Sequence, residues 1–148
     1  VIVRPATTDD IPWLLAELAA FDRFFGSSRS LFPSIEYAEG VLTGVMTDHL
    51  FLVAESPHGP AGFIAGTITP HGLNPAIVVL AELFWWVAPE HRGSRAALLL
   101  LNAYVAAGKA RAHWITMTIE AESPIGPHML YRRGFRFKEA SYLLEVGV

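Results

Sequence analysis

The chain has 148 residues, 52% of them hydrophobic and 17% charged, with a formal net charge of −3 and no cysteine. Such a composition supports a real buried core and argues against disorder. The charge gives no electrostatic reason to expect nucleic acid as a partner, and the missing cysteine removes disulfide frameworks, thiolate metal sites and a cysteine nucleophile together.

Val1 to Arg4 reads as a short strand. A helix start follows at Thr7-Thr8-Asp9-Asp10, whose side chains can accept from free backbone N–H groups, with Pro12 tolerated in the first turn. Ile11, Leu14, Leu15, Leu18 and Phe21 then fall on one helical face. Gly26-Ser27-Ser28 interrupts the pattern, within a connection made aromatic by Phe21, Phe24, Phe25 and Phe32. A weaker helix is predicted from Ser34 to Met46.

Strand-like runs come next. His49 to Glu55 and Ala61 to Thr69 make a hairpin across Ser56-Pro57-His58-Gly59-Pro60. Ile77 to Val87 is long for a strand, which predicts a bulge or bend within it. A helix is expected from Ser94 to Gly108, with Leu98, Leu101 and Val105 on one face and Leu99, Leu100 and Tyr104 widening its apolar surface. His113 to Ile119 reads as a strand, Pro124 to Arg133 as a short helix, and Phe135 to Val146 as one or two closing strands. The helix between the strands of residues 80–119 implies a parallel pair, while the hairpins imply antiparallel neighbours. The fold class expected is therefore α/β (an α+β mixed sheet flanked by helices), as a single domain over residues 1–148.

No signal-peptide pattern opens the chain. The uncharged stretch Ala61 to Ala81 contains Pro70, His71, Gly72, Asn74 and Pro75, which a membrane helix would not welcome. The expectation is a cytoplasmic protein with no membrane partner.

Three places carry chemistry. At Val87 to Leu98 a strand ends, a short turn follows, and a helix begins at Gly93-Ser94. Backbone N–H groups at a helix start are unpaired and favour an anion. Gly93, Ala96 and Ala97 are small enough for a diphosphate to approach, and Arg92 and Arg95 add charge; alone, such a junction is more often a plain connection. The second place is Leu130-Tyr131-Arg132-Arg133-Gly134-Phe135, a helix C-terminus with basic residues and a left-handed glycine cap, which leaves Tyr131 unexplained. The third is Glu82, an acid within Ala81-Glu82-Leu83-Phe84-Trp85-Trp86-Val87 that is costly to bury without a purpose or partner. Strand alternation places its side chain on the face of Phe84 and Trp86. A salt bridge near the strand start is its other reading. The six histidines lack metal-ligand spacing, so no metal is expected, and no Gly-x-Ser-x-Gly elbow or full Walker pattern occurs.

Together these elements resemble the GNAT acyltransferase superfamily over nearly the whole chain. Val3-Arg4-Pro5-Ala6-Thr7-Thr8-Asp9-Asp10-Ile11-Pro12 looks like its first strand and helix, and Val87-Ala88-Pro89-Glu90-His91-Arg92-Gly93 is similar to its strand-four exit. Against the family pattern Q/R-x-x-G-x-G/A, Arg92 fits the first position and Ala97 the last, while Arg95 stands at the central glycine. The run RGSRA resembles a subgroup often met among phage-type members.

The resemblance implies acetyl-CoA as cosubstrate. Its pyrophosphate would lie on the amides of Arg92, Gly93, Ser94, Arg95, Ala96 and Ala97, and its pantetheine arm along the backbone of Trp85, Trp86 and Val87. A splay between this strand and that of residues 113–119 would expose those groups. Arg132 and Arg133 are within the helix end that could reach coenzyme phosphates, and Ser123 lies near where relatives often carry a coenzyme-contacting asparagine. Tyr131 matches the family's tyrosine near the thiol, which implies a general acid, since a free phenol with pKa about 10 is protonated at neutral pH. Glu82 corresponds to a strand-four base, although earlier on the strand than the commonest site. The implied activity is acetyl transfer to a primary amine of a small molecule or peptide. A non-catalytic acyl-CoA-binding or interaction domain is the alternative, supported by Arg95 and the unsettled base. The aromatic stretch Phe21 to Phe32 suits either a partly apolar acceptor or a homodimer contact, and the sequence does not separate these.

Overall fold

In the computed structural model, which describes residues 1–26 and 29–147, the chain opens with strand β1 (Ile2–Pro5). A 3-10 turn over Thr8–Asp10 leads into helix α1 (Ile11–Phe25). Ser27 and Ser28 of the expected helix break lie outside the described residues. Asp10 fixes the helix entry: its carboxylate accepts the Thr7 N–H at 2.8 Å and both terminal nitrogens of Arg4 at 2.8 Å each. Arg4 also donates Nε to Glu55 Oε2 at 2.7 Å, so one guanidinium joins three parts of the chain.

Helix α2 (Ile35–Asp48) is capped by Ser34, whose Oγ accepts the Tyr37 N–H at 3.0 Å. The remaining elements are β2 (Leu50–Ser56), β3 (Gly59–Pro70), β4 (Val78–Val87), α3 (Ala96–Arg111), β5 (Trp114–Thr116) and α4 (His128–Tyr131). One sheet runs in the order β1-β2-β3-β4-β5. Pairs from β1 to β4 are antiparallel, and β4 pairs β5 in parallel across the α3 crossover, as the element order predicts.

Both faces of the sheet are covered, which is why β2 and the middle of β3 read as continuous apolar runs. On one face α1 and α2 pack Leu14, Leu18, Phe21, Leu42 and Val45 against Phe51, Val53, Phe63, Phe84 and Trp86. On the other, Leu100, Leu101 and Tyr104 of α3 pack against Leu52, Ile64, Leu80, Trp85 and Val87. The buried stripe of α3 is Ala96, Leu100, Tyr104 and Gly108, with Leu101 beside it, whereas Leu98 and Val105 are half-buried.

Three boundaries depart from the pattern. β5 stops at Thr116 rather than Ile119, and α4 is a single turn beginning at His128. Among the described residues no strand forms over Phe135 to Val146. Strand propensity is realised only against a paired neighbour, and this segment instead exposes Phe137, Tyr142, Leu143, Leu144 and Val146. Among the described residues no helix is long and apolar enough to cross a membrane.

Candidate active site

The direction of Glu82 is decided by a bulge in β4. Phe84 pairs with Ala65 and Glu82 with Gly66, which leaves Leu83 without a partner. The inside-outside alternation resets at that point. Phe84 and Trp86 join the cluster under α1 and α2, while Leu80, Trp85 and Val87 belong to the α3 side. Glu82 goes with the α3 side, opposite Gly66. The face expected from plain alternation, shared with Phe84 and Trp86, is thus corrected, because one extra residue inverts every position beyond it. Gly66 is required here: a Cβ would meet the Tyr104 hydroxyl at 2.5 Å and the Ala81 carbonyl oxygen at 2.8 Å. That hydroxyl is buried without a hydrogen-bond partner among the described residues. Burial, reinforced by the Glu82 charge, pushes its pKa up.

Past Glu82 the sheet opens. β4 and β5 pair from Val79–Trp114 to Ala81–Thr116 and then part, the kind of splay that the family resemblance would require. Beyond the last pair, the backbone N–H of Thr118 lies near enough to the Glu82 carboxyl group to favour its charged form. The gap holds a cavity of about 210 Å³, walled by Glu82, Leu83 and Trp85 of β4, Phe21 and Phe25 of α1, and residues of the segment 118–125. Burial raises the Glu82 pKa to about 7, with a further push from Glu120; the Thr118 N–H pulls the other way and is outweighed. A carboxyl group with that pKa exchanges a proton readily at neutral pH. On the same wall, Trp85 Nε1 is buried and has no acceptor among the described residues.

From β4 the chain passes through a 3-10 turn over Pro89–His91 and reaches α3 by way of Gly93, at φ +84°. Ser94 Oγ accepts the Ala96 N–H at 3.2 Å. The N–H groups of Arg95, Ala97 and Leu98 meet no acceptor among the described residues. Ala96 is buried and Ala97 half-buried, so little side chain stands over these amides. Arg95 occupies the N-cap with φ −81° and ψ 1°, a conformation open to any L-residue, and its side chain is exposed.

Arg92 does not join this cradle. Its Nε donates to the Val87 carbonyl at 3.2 Å, and its guanidinium lies 4.7 Å from the Trp86 ring centroid and 5.6 Å from that of Phe24. Trp86 is held in turn by Nε1 donating to Glu17 Oε2 at 2.8 Å. Arg92 therefore braces the exit of β4 against α1. One edge of β4 is used by β3, through Trp85–Ile64, Trp86–Phe63 and Val87–Gly62; the other edge faces the split.

Tyr131 ends α4 at 53% exposure and does not line the cavity. Gly134 at φ +87° and the Phe135 N–H on the Leu130 carbonyl at 3.2 Å close that helix as the sequence predicts. Arg133 is committed to structure: Nε donates to Asn102 Oδ1 and one terminal nitrogen to the Met129 carbonyl, both at 2.7 Å. Arg132 remains exposed. Ser123 lines the cavity, with its Oγ accepting the Ile125 N–H at 3.1 Å. The break in the sheet thus gathers Glu82, Trp85 and Ser123. It also gathers Phe21, Phe25 and Glu120, which the motif reading did not assign to chemistry. The aromatic connection hinted at the phenylalanines; nothing in spacing ties Glu120 to Glu82. Among the described residues no group of three His, Asp or Glu side chains could hold a metal ion.

No family model matches the chain, and no curated protein matches its sequence. Solved structures do resemble it along nearly its full length. A transcriptional regulator from Bacillus halodurans C-125 superposes with a TM-score of 0.78 at 18% identity, over 99% of this chain and 99% of that one. The ribosomal-protein-alanine N-acetyltransferase of Brucella melitensis biovar Abortus 2308 gives 0.75 at 17% identity, over 99% of this chain and 97% of that one. A protein of Clostridium acetobutylicum described as a predicted acetyltransferase, solved with acetyl-CoA, gives 0.73 at 17% identity, over 97% and 94% of the two chains. The five-stranded mixed sheet with its flanking helices is the fold of the GNAT-type acetyltransferases.

Proposed function

We propose that this chain is an N-acetyltransferase that moves an acetyl group from acetyl-CoA to a primary amine in a ternary complex. The observation that carries this reading is the carboxyl group of Glu82, with a pKa of about 7, at a break in the sheet of a GNAT-type fold. The fold it has in common with named acetyltransferases adds support.

The residues present fit the coenzyme. The N–H groups of Arg95, Ala97 and Leu98 suit a pyrophosphate at the start of a 16-residue helix. The open edge of Trp85 to Val87 suits the amides of a pantetheine arm, in the manner of an added strand. Trp85 Nε1 is a buried donor without an acceptor among the described residues, and Ser123 stands on the same wall. Arg95 in the family's glycine position has an ordinary φ and an exposed side chain, which supports its place in the cradle. When bound, acetyl-CoA supplies the acyl group as a thioester. The acceptor ammonium gives one proton to solvent on becoming the free amine; Glu82 accepts the second from the attacking nitrogen, which forms the new C–N bond as the C–S bond breaks. Tyr131 provides a proton for the leaving sulfur, and the proton on Glu82 returns through solvent to the phenolate.

The test is to mix the protein with acetyl-CoA and a panel of amines and follow release of free thiol. At about a hundred times its dissociation constant, acetyl-CoA should also add roughly 2.7 kcal/mol of stability. Absence of any thermal shift at high concentration would sink the reading. The exposure of Tyr131, off the cavity wall, favours a second reading in which the domain binds acyl-CoA without turnover. A thermal shift without thiol release for any amine selects that one.

A further inference from the structure

The cavity at the split between β4 and β5 has a composition that narrows the acceptor. Its ionisable wall groups are Glu82 and Glu120, and among the described residues no Lys, Arg or His lines it. Such a wall attracts one ammonium group and repels phosphate or carboxylate. Its apolar wall is aromatic and largely fixed. Phe21 is buried and packs edge-on to both Phe84 and Trp86, with ring centroids 5.8 Å apart in each case. Phe25 is only half-buried and meets Trp86 at 6.0 Å, so part of its ring is open to the cavity. The bulged Leu83 adds an apolar side chain that is 39% exposed. Aromatic faces also attract a cation directly.

Size sets the second limit. The cavity of about 210 Å³, whose Trp85 and Ser123 wall is the part read above as facing the coenzyme, is smaller than the roughly 300–1,000 Å³ typical of sites for drug-sized ligands. A small amine fits within it whole, whereas an aminoglycoside or a peptide would leave most of its body outside these walls. A long polyamine would need further anionic partners beyond the one pair of carboxylates.

We infer that the acceptor is a small monocationic amine with an aromatic or branched apolar body, its ammonium between Glu82 and Glu120 and its body against Phe21, Phe25 and Leu83. This rests on the acetyl-transfer reading and deepens it by naming the substrate class. Glu120 and Phe25 then determine specificity, one for charge and the other for shape.

The experiment has two arms. In the first, phenylethylamine, isoamylamine, ethanolamine, spermidine and glucosamine-6-phosphate are compared by thiol release at saturating acetyl-CoA. Phenylethylamine and isoamylamine should exceed ethanolamine in kcat/KM by roughly 10–200-fold, the discrimination an apolar pocket provides. Glu120→Gln should raise KM for phenylethylamine about two- to fivefold, as befits an exposed charge, and Phe25→Ala should cut the preference over ethanolamine about tenfold or more. In the second arm, phenylethylamine is titrated into protein saturated with coenzyme A, which carries no acetyl group, and tryptophan fluorescence reports binding. Turnover that is best with ethanolamine, spermidine or the sugar phosphate overturns this inference and keeps the transferase. Binding of phenylethylamine with no turnover of any amine keeps the pocket assignment and removes the transferase. Neither binding nor turnover removes both.

Discussion

Glu82 and Phe84 stand two residues apart on β4 yet face opposite sides of the sheet, because Leu83 between them is skipped in the β3–β4 register. The bulge puts a carboxyl group over Tyr104 and leaves the aromatic wall of Phe84 and Trp86 intact under α1. Burial then raises the Glu82 pKa from 4.5 to about 7.

That shift has a sign that can be tested by stability. Between about 4.5 and about 7 the folded chain holds a proton on Glu82 that the unfolded chain has released, so stability falls as pH rises through this window. The full penalty, reached above pH 7, is on the order of 3 kcal/mol. Glu82→Gln cannot ionise and escapes it. Urea unfolding should show the variant gaining on the parent between pH 4.5 and pH 8 by about that amount. A difference that stays constant with pH would mean that Glu82 titrates normally.

The same variant tests catalysis. With an amine acceptor, kcat/KM of the parent should rise through an ascending limb near pH 7, where Glu82 loses its proton. In Glu82→Gln that limb should disappear and the rate fall about 10²–10⁴-fold, the usual worth of a positioned base. An unaltered pH–rate profile would remove Glu82 from the mechanism.

Much of this fold is readable from sequence, for physical reasons. A helix between two strands forces the β4–β5 pair to be parallel, and a strand with both faces covered must be apolar throughout. Glu82 stands out because a charge in such a run is costly. The inversion of its face is not readable, since the bulge at Leu83 adds one residue without changing composition. Arg92 is legible as a basic residue before a helix, but its place over Trp86 and Phe24 depends on where α1 packs. Phe135 to Val146 is rich in aromatic and aliphatic residues that suit a strand, and only the sheet decides whether an edge is there to receive it.

Tyr131 tests the motif against its location. As the proton source for the leaving sulfur, it should show a lower kcat in Tyr131→Phe, by about 10²-fold or more, with coenzyme affinity nearly unchanged. Steady-state kinetics alongside equilibrium titration of coenzyme A separates the two quantities. A variant with full kcat would make Tyr131 a surface residue and leave the proton to solvent.

Gly66 and Tyr104 form the floor beneath Glu82. Gly66→Ala should destabilise the chain by about 1–3 kcal/mol, because its methyl group meets the Tyr104 hydroxyl and the Ala81 carbonyl. Tyr104→Phe alone should be close to neutral or slightly stabilising, since the hydroxyl lacks a partner among the described residues. The double variant should recover only the part of the cost due to the hydroxyl, because the backbone contact remains. Denaturant midpoints of the three variants measure this, and full additivity would mean that the two side chains do not meet.

Asp10 provides a pH response of opposite sign. Hydrogen bonding from Arg4, with a further bond from the Thr7 N–H, lowers its pKa below the ordinary 3.8 despite burial. A depressed carboxylate stabilises the fold at every pH above its unfolded value, and that contribution is lost as pH falls through the folded value. Asp10→Asn should therefore cost about 2 kcal/mol at pH 7, the scale of hydrogen bonds to a charged group, and Arg4 keeps Glu55 and the Pro5 carbonyl as partners. The gap between variant and parent should narrow in urea titrations below pH 3.8, where the parent also becomes protonated. Acid thus weakens the β1–α1 junction in the pH range just below that in which it relieves Glu82, so the parent should be most stable between the two transitions. A parent whose stability rises steadily from pH 3 to pH 8 would contradict the Glu82 assignment, and one whose stability is unchanged by acid below pH 3.8 would contradict that of Asp10.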